Sequence, residues 1–567
     1  MPRKPSLYFA FVKPVGADIG PACACLRETL ALAGYGTAEI RLSSLLCETS
    51  VARRYEINSE SAVERINARM SAGDALRTFW RPDAIARLGV REAVAIATAE
   101  SDNNSALLAS RAEGGTYDRS QDGFAAVFLS LMHPSEVELL RSLYGERLFV
   151  ISAFSSRARR LEGLADQLVA AGGHEDDGKA RIEAIAAAED LLRRERGIGF
   201  RNMDDLQARR AKLERLNVEK TFPLADLFID IDTEATLLNS EIRRFVRLIF
   251  GDPFGISRPD EVGMALAFAA ADQSACLARR VGASVVRDGF PLAIGRNDLP
   301  VARGGQLTVA TATDDANVRK LPDASNEERE DVFSDALQAL FQVTDWDEEP
   351  TGRFRLESLE KEEDLDSLVK WLLMQLPVQK ARIFDLIEFN PTVHAEMSAI
   401  TGAAREGISL QSATLFTTTF PCHECTRHIV STGIDRVVYL EPYVKSRAED
   451  LFEGQIVLTA AGEELEGDER VRFSPFMGIA PRRHGVLFSW IERKDSSGRA
   501  RPFELRKTKG IRPSIWPTTT TDDQCDEIER SLMAQQQLVA EEIDEQIGSA
   551  AEILGGNPAD GPTNDSQ

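Results

Sequence analysis

The tightest constraint on this chain is a pair of short segments, His394-Ala395-Glu396 and, 28 residues after its histidine, Pro421-Cys422-His423-Glu424-Cys425. Each is expected at the start of a helix, and the apolar run Ala413 to Thr418 between them reads as a buried strand. The fold must therefore bring one imidazole and two thiols together. Three such ligands leave one corner of a tetrahedral zinc for water, the arrangement of a catalytic site rather than a structural one. Cysteines three apart in a first helical turn can point to one centre, and the partial positive charge of that helix end favours their thiolate forms. Glu396, two residues beyond His394, is placed to shuttle a proton beside the metal rather than to ligate it. The competing assignment is a structural zinc knot with His423 or His428 as fourth ligand and Glu396 as a solvated helix residue.

The surrounding chain has 567 residues, enough for three or four domains at about 100 to 200 residues each. Hydrophobic residues at 43% and charged residues at 28% are ordinary globular usage, so a disordered protein is excluded. A net charge of −23 repels duplex DNA and anionic lipid, so neither is expected as a partner. The opening 41 residues lack a long apolar leader with a small-residue cleavage site, and no run of about 18 apolar residues occurs, so no membrane association and a cytoplasmic location are expected. Seven cysteines are too sparse for a disulfide framework. Cys23 and Cys25, at i and i+2 of a helix, are expected as buried small residues.

Read for organisation, the chain is α/β. Leu7 to Val15 fits a buried strand, Gly16 to Gly20 a glycine turn, Pro21 to about Ala33 a helix and Thr37 to Leu42 a second strand, the βαβ opening of a parallel-sheet domain. Strands are expected at Ala125 to Leu131, Leu148 to Phe154 and Phe228 to Ile231, with helices at Ser135 to Tyr144 and Glu234 to Ile249. Phe250-Gly251-Asp252-Pro253 marks a boundary. Beyond it a helix from Asp260 to Ala278 precedes a hairpin, Ala283 to Val286 and Leu292 to Gly295, turning at Asp288-Gly289. An acidic helical insertion is expected at about 313–383, and further elements are a helix within Phe384 to Gly407, a helix from Cys422 to Thr432 and a strand from Val437 to Leu440. From Thr521 on, twelve acidic residues face Arg530 alone, and the last dozen residues are expected to be disordered. The expected domains are 1–250, 251–510 and a tail at 511–567.

The H-x-E and P-C-x-x-C segments together resemble the signature of the zinc nucleobase deaminases, in which the glutamate handles the protons of a zinc-activated water. The stretch Gln273 to Ala283 followed by Ile294-Gly295-Arg296-Asn297-Asp298 is similar to the opening of the deoxycytidylate deaminase family. That resemblance implies a cytidine-deaminase-like α/β/α domain with Zn2+ on His394, Cys422 and Cys425, with Glu396 catalytic and Asn297 at the sugar end of a nucleotide. Arg280 is a candidate for phosphate. The alternative for Asn297-Asp298 is a plain turn, and for Arg280 a solvated helix end.

The whole layout, with a P-loop-like N-terminal domain, Asn297-Asp298-Leu299-Pro300, Gly304-Gly305, the insertion and Glu441-Pro442-Tyr443-Val444-Lys445-Ser446, resembles the bacterial anti-phage dCTP deaminases. Val444 departs from the proline usual there. The resemblance implies deamination of dCTP and dCMP that depletes the nucleotide pool during infection, a homo-oligomer, and a regulatory nucleotide or an RNA inhibitor as partner. Three other functions remain open: a housekeeping dCMP deaminase supplying dUMP, an editor of polynucleotide cytosine or tRNA adenine, and a non-enzymatic zinc-stabilised phage sensor. An editor needs a basic groove with interleaved aromatics, which the acidic balance and the 7% aromatic content oppose.

The N-terminal glycine turn lacks what a working Walker loop needs, a lysine for the outer phosphates and Ser/Thr for magnesium after the second glycine. Asp18 adds negative charge. Gly16 and Gly20 are therefore expected in a degenerate loop that keeps a backbone able to hold an anion without phosphoryl transfer, in a regulatory or assembly domain.

Overall fold

The computed structural model describes residues 4–49, 55, 57, 61–101, 123–171, 178–195, 217–276, 279–302, 304–306, 324–341, 372, 391–441, 446–463 and 465–508. The tail from 511 and Val444 lie outside the described residues, and of the insertion only 324–341 and 372 lie within them. The chain divides into two compact units, one of residues 1–261 and 477–567 and one of residues 262–476. This differs from the expected boundaries at 250/251 and 510/511.

In the first unit, β1 (Leu7–Val12) leads into α1 (Gly20–Leu32) and β2 (Tyr35–Arg41). Helices α2 (Ala62–Phe79) and α3 (Ala84–Ser101) precede β3 (Gly123–Leu131), α4 (Pro134–Tyr144) and β4 (Leu148–Phe154). Then come α5 (Arg157–Ala171), α6 (Gly178–Glu195), β5 (Leu227–Asp230) and α7 (Ala235–Ile249). Strands β2-β3-β1-β4-β5 lie in that order and are all parallel. All six residues of β1 are buried, as an unbroken apolar run demands of a strand covered on both faces. Its core joins Phe9, Phe11 and Phe149 to Leu26 of α1 and Phe245 of α7. Cys23 and Cys25 are buried in the same core, as their spacing suggested.

The second unit takes up the chain within α8 (Pro259–Ala271). This helix is shorter than the expected Asp260 to Ala278, because residues 272–274 turn and Ser274 is held by Asn297. The hairpin β6 (Gly282–Arg287) and β7 (Phe290–Arg296) turns at Asp288 and Gly289, both with positive φ, as a two-residue primed turn requires. After α9 (Ala324–Phe341) come α10 (Ala395–Arg405), β8 (Thr414–Thr419), α11 (His423–Ser431), β9 (Arg436–Glu441), β10 (Ile456–Leu458) and β11 (Val471–Pro475). The sheet order is β10-β11-β9-β8-β6-β7, parallel from β10 to β8 and antiparallel from β8 to β7.

Two glycines set the layers of this unit. A Cβ on Gly282 would lie 1.9 Å from the Ala267 carbonyl oxygen in α8, and one on Gly295 would lie 2.2 Å from the Ala395 oxygen in α10. Gly295 pairs across the hairpin with Ala283, the neighbour of Gly282, so the two glycines point to opposite faces. One helix is therefore pressed against each face, an α/β/α sandwich.

The chain then returns to the first unit. Strand β12 (Gly478–Ile479) adds antiparallel to β5, and α12 (Pro481–Leu487) buries Leu487 in the core already described. Buried polar groups fix this return. The Ile479 N–H donates to Glu261, whose carboxylate also takes both Arg244 nitrogens at 2.8 and 2.7 Å. Arg483 donates to the Leu148 carbonyl at 2.6 Å and pairs with the fully buried Asp226 at 3.1 Å. Burial pushes the Glu261 carboxyl up, but the Arg244 bonds and the Arg258 and Ile479 amides outweigh it and leave it below its ordinary value. The expected continuous stretch 251–510 is corrected accordingly: buried Ile479, Leu487 and Arg483 tie the segment from 477 to the N-terminal sheet. No helix among the described residues is long and apolar enough to cross a membrane.

Candidate active site

Three elements of the second unit converge. His394 is the N-cap residue of α10, which Gly295 allows to lie close on β7. Strand β8, with Leu415 fully buried, ends at the Phe420-Pro421 loop, and Cys422 follows as N-cap of α11. The Cys422 sulfur accepts from the Cys425 amide at 3.4 Å, so it caps the helix and faces the centre at once.

The His394 Nδ1 stands 3.2 Å from the Cys422 sulfur and 3.5 Å from the Cys425 sulfur. Around a tetrahedral zinc, nitrogen and sulfur ligands are about 3.5 Å apart, given Zn–N of about 2.0 Å and Zn–S of about 2.3 Å. The donor set and its spacing thus fit Zn2+. These three residues form the metal-capable group found among the described residues, and neither His423 nor His428 joins it. A zinc knot closed by either histidine is not what the geometry brings together.

The charges of the group are strongly coupled. Cys422 is drawn down to about 4 by its hydrogen bond with Cys425 and by His394, while Cys425 is pushed up by sharing that proton and by burial. His394 is raised to about 9 by its bond to Cys422. The pull on Cys422 favours its thiolate form, the form in which a cysteine ligates a cation.

Glu396 is 4% exposed and lies on the inner face of α10. Its Oε2 is 3.4 Å from the Cys425 sulfur, and its Oε1 is 3.3 Å from the Thr417 hydroxyl, which shares its one hydrogen between this carboxylate and the Thr419 carbonyl at 3.0 Å. Burial and the Cys422 charge raise its carboxyl above the ordinary value, so it gains affinity for a proton beside the metal group. Thr417 was not singled out from the sequence; its position, five residues before Cys422 in the run Thr417-Thr418-Thr419, is the signal that was present.

The remaining candidates fall differently. Asn297 is buried, but its side chain is spent on its own chain: Oδ1 accepts from Ser274 at 2.9 Å and from the Val281 amide at 2.7 Å, and Nδ2 donates to the Arg279 carbonyl at 2.7 Å. Asp298 exchanges both backbone hydrogen bonds with Val393, the residue before His394. Asn297 and Asp298 therefore hold Ser274, Ala275, Arg279 and Val281 on one side and Val393 on the other. Arg280 is exposed, and its neighbour Arg279 pairs with Glu441. In the first unit, Gly16 has φ +82° and packs on α5, while the Gly20 amide is capped by Asp18 Oδ1 at 2.9 Å.

Comparison with known proteins agrees with this geometry. Residues 257–441 match the sequence model of the cytidine and deoxycytidylate deaminase zinc-binding region. The deoxycytidylate deaminase of Enterobacteria phage T2 is 44% identical over 55 residues, covering 10% of this chain and 29% of the phage protein. ComE operon protein 2 of Bacillus subtilis (strain 168) is 37% identical over 81 residues, 14% of this chain and 41% of that protein. The dCMP deaminase of cyanophage S-TIM5, solved in complex with dCMP and dUMP, aligns at 18% identity over 35% of this chain and 90% of its own, with a TM-score of 0.18. The His394, Cys422 and Cys425 donor set lies inside the stretch that matches the deaminase zinc-binding region. The aligned stretches span less than half the length of these two curated relatives.

Proposed function

We propose that this chain is a zinc hydrolase converting free deoxycytidine nucleotides, dCMP and dCTP, to dUMP and dUTP with release of ammonia, and that it serves to deplete the nucleotide pool against phage. The observation that carries the chemistry is the buried Glu396 carboxylate set against a three-ligand group with no fourth protein ligand among the described residues. The deoxycytidylate deaminase names of the curated relatives support the substrate class, and the layout of the whole chain supports dCTP and defence.

Zinc, when bound by His394, Cys422 and Cys425, supplies the Lewis acidity that makes hydroxide available near neutral pH. The chain's own residues handle protons and position. Water supplies the new oxygen at C4 of the cytosine ring, and the bond from C4 to the amino nitrogen breaks. Of the two water protons, one ends on ring N3 and the other leaves with ammonia, and Glu396 holds each in turn. Thr417 aims that carboxylate. A net charge of −23 favours small nucleotides over polynucleotide, whose many phosphates it repels.

The test is Glu396→Gln in the full chain. Turnover of dCMP and dCTP should fall by roughly 10² to 10⁴ while zinc stays near one equivalent per chain. Deamination at the wild-type rate would overturn the assignment.

A further inference from the structure

The outer face of α7 carries an uncompensated charge. Ser240, Arg243, Arg244 and Arg247 stand at i, i+3, i+4 and i+7, so one stripe of this helix holds three guanidinium groups and a hydroxyl. They line a cavity of about 360 Å³ closed on its other side by Asp252 and Gly255. Two of the three arginines already hold a carboxylate: Glu261 takes Arg244, and Asp252 takes Nε and Nη2 of Arg247 at 2.8 and 2.7 Å. Arg243 is exposed and pairs with no carboxylate among the described residues.

The last described stretch of the chain joins this face. Arg247 lies over Phe503, its guanidinium carbon 5.2 Å from the ring centroid, and Phe503 and Leu505 pack on the core of the first unit. Residues 490–508 hold six Lys/Arg against three Asp/Glu, in a chain of net charge −23. Glu492 and Glu504 are taken by Arg501 and Lys507, and Asp495 Oδ1 accepts from Ser497 and Arg499 of its own turn. Arg493, Lys494, Arg499 and Arg506 are thus exposed with no acidic partner among the described residues. Acids follow in the sequence: Asp522, Asp523, Asp526, Glu527 and Glu529 begin 14 residues beyond Thr508. Fourteen residues span at most about 50 Å. A short tether of this kind keeps its end at roughly millimolar effective concentration, enough to fill a weak site.

We propose that the arginine-lined cavity of α7 is the docking site of this chain's own acidic segment, residues 522–529, whose carboxylates complete Arg243 as Asp252 and Glu261 complete its neighbours. The proposal rests on no part of the deaminase reading.

The experiment follows, by fluorescence anisotropy, a labelled peptide of residues 519–532 binding to the full chain in three forms, each first checked for cooperative thermal unfolding. These are wild type, a neutral-tail form (Asp522→Asn, Asp523→Asn, Asp526→Asn, Glu527→Gln, Glu529→Gln), and the neutral-tail form with Arg243→Met, or with Arg243→Gln should the first not fold. The peptide should bind the neutral-tail form at least tenfold more tightly than wild type, where the chain's own segment competes. That gain should vanish with Arg243→Met, and at about 1 M salt, where charges are screened beyond about 3 Å. Equal affinity for wild type and neutral-tail forms, or a gain that survives Arg243→Met, overturns the proposal. So does sodium tripolyphosphate binding the neutral-tail form when the peptide does not, which would make the cavity a phosphate site. Sedimentation of the same forms covers the remaining occupant: an unchanged oligomeric state supports docking within one chain, and dissociation of an oligomer on tail neutralisation gives the cavity to a second copy and overturns it.

Discussion

Two strand-to-helix turns in this chain share a local design and differ in what occupies them. After β8 the turn ends on Cys422, which caps α11 and still presents its sulfur to His394 and Cys425. After β1 the turn ends on α1, and its free amides are taken from within: Gly20 by Asp18 and Val15 by Glu195. A parallel α/β sheet delivers such turns at the carboxyl ends of its strands, where ligands are held. The comparison teaches that the backbone supplies the place and the side chains decide whether an outside ion is needed. Three soft donors at zinc spacing ask for a cation. Arg160 asks for an anion, and Glu195 supplies one.

The largest effect should come from emptying the first turn of its donors. Cys422→Ser/Cys425→Ser is expected to lower zinc from about one equivalent to near none and deamination by at least ~10³, since metal activation of water is worth several kcal/mol. Elemental analysis beside a rate assay checks both. Full zinc with full activity would remove the basis of the comparison.

In the second turn the effect is one of packing. Gly16→Ala puts a Cβ 2.8 Å from the Arg160 carbonyl at φ +82°, and should cost about 1–3 kcal/mol in thermal or urea unfolding. Gly20 has ordinary φ, and its Cβ would meet only the movable Asp18 carboxylate at 3.1 Å. Gly20→Ala should stay within about 0.5 kcal/mol of wild type. A reversed ranking would mean that the turn does not close on α5 as described.

Thr417→Val sharpens the first turn more finely. Loss of a hydroxyl that contributes about 1 kcal/mol should lower kcat three- to tenfold, leave zinc content unchanged, and be largely restored in Thr417→Ser. A rate equal to wild type would leave Glu396 aimed by its burial alone.

What the sequence disclosed follows from where its information sits. The strand Leu7–Val12, the hairpin turning at Asp288-Gly289 and the His394, Cys422 and Cys425 group are written in contiguous runs or in spacings set by one helical turn. The return of β12 and α12 was hidden because it rests on a two-residue strand and on partners, Glu261 and Asp226, more than 200 residues earlier. Glu195 was hidden for the same reason: a glutamate ending a charge-rich helix looks solvated until the fold brings Val15 and Arg160 to it. The hydrogen bonds of Asn297 were hidden as well, since its buried amide takes the Ser274 hydroxyl and two backbone groups, of Val281 and Arg279, that the sequence does not point to.

The most direct measurement is product analysis of the purified full chain, zinc-loaded, with dCMP, dCTP, CTP and single-stranded DNA supplied separately at equal cytosine concentration. The predicted result is ammonia and the deoxyuridine nucleotide in equal amounts from dCMP and dCTP, with neither formed by Glu396→Gln on the same time scale and no uracil in the DNA. Uracil formed in single-stranded DNA but not from the free nucleotides, or no deamination of either nucleotide by a folded chain carrying one zinc, would contradict it.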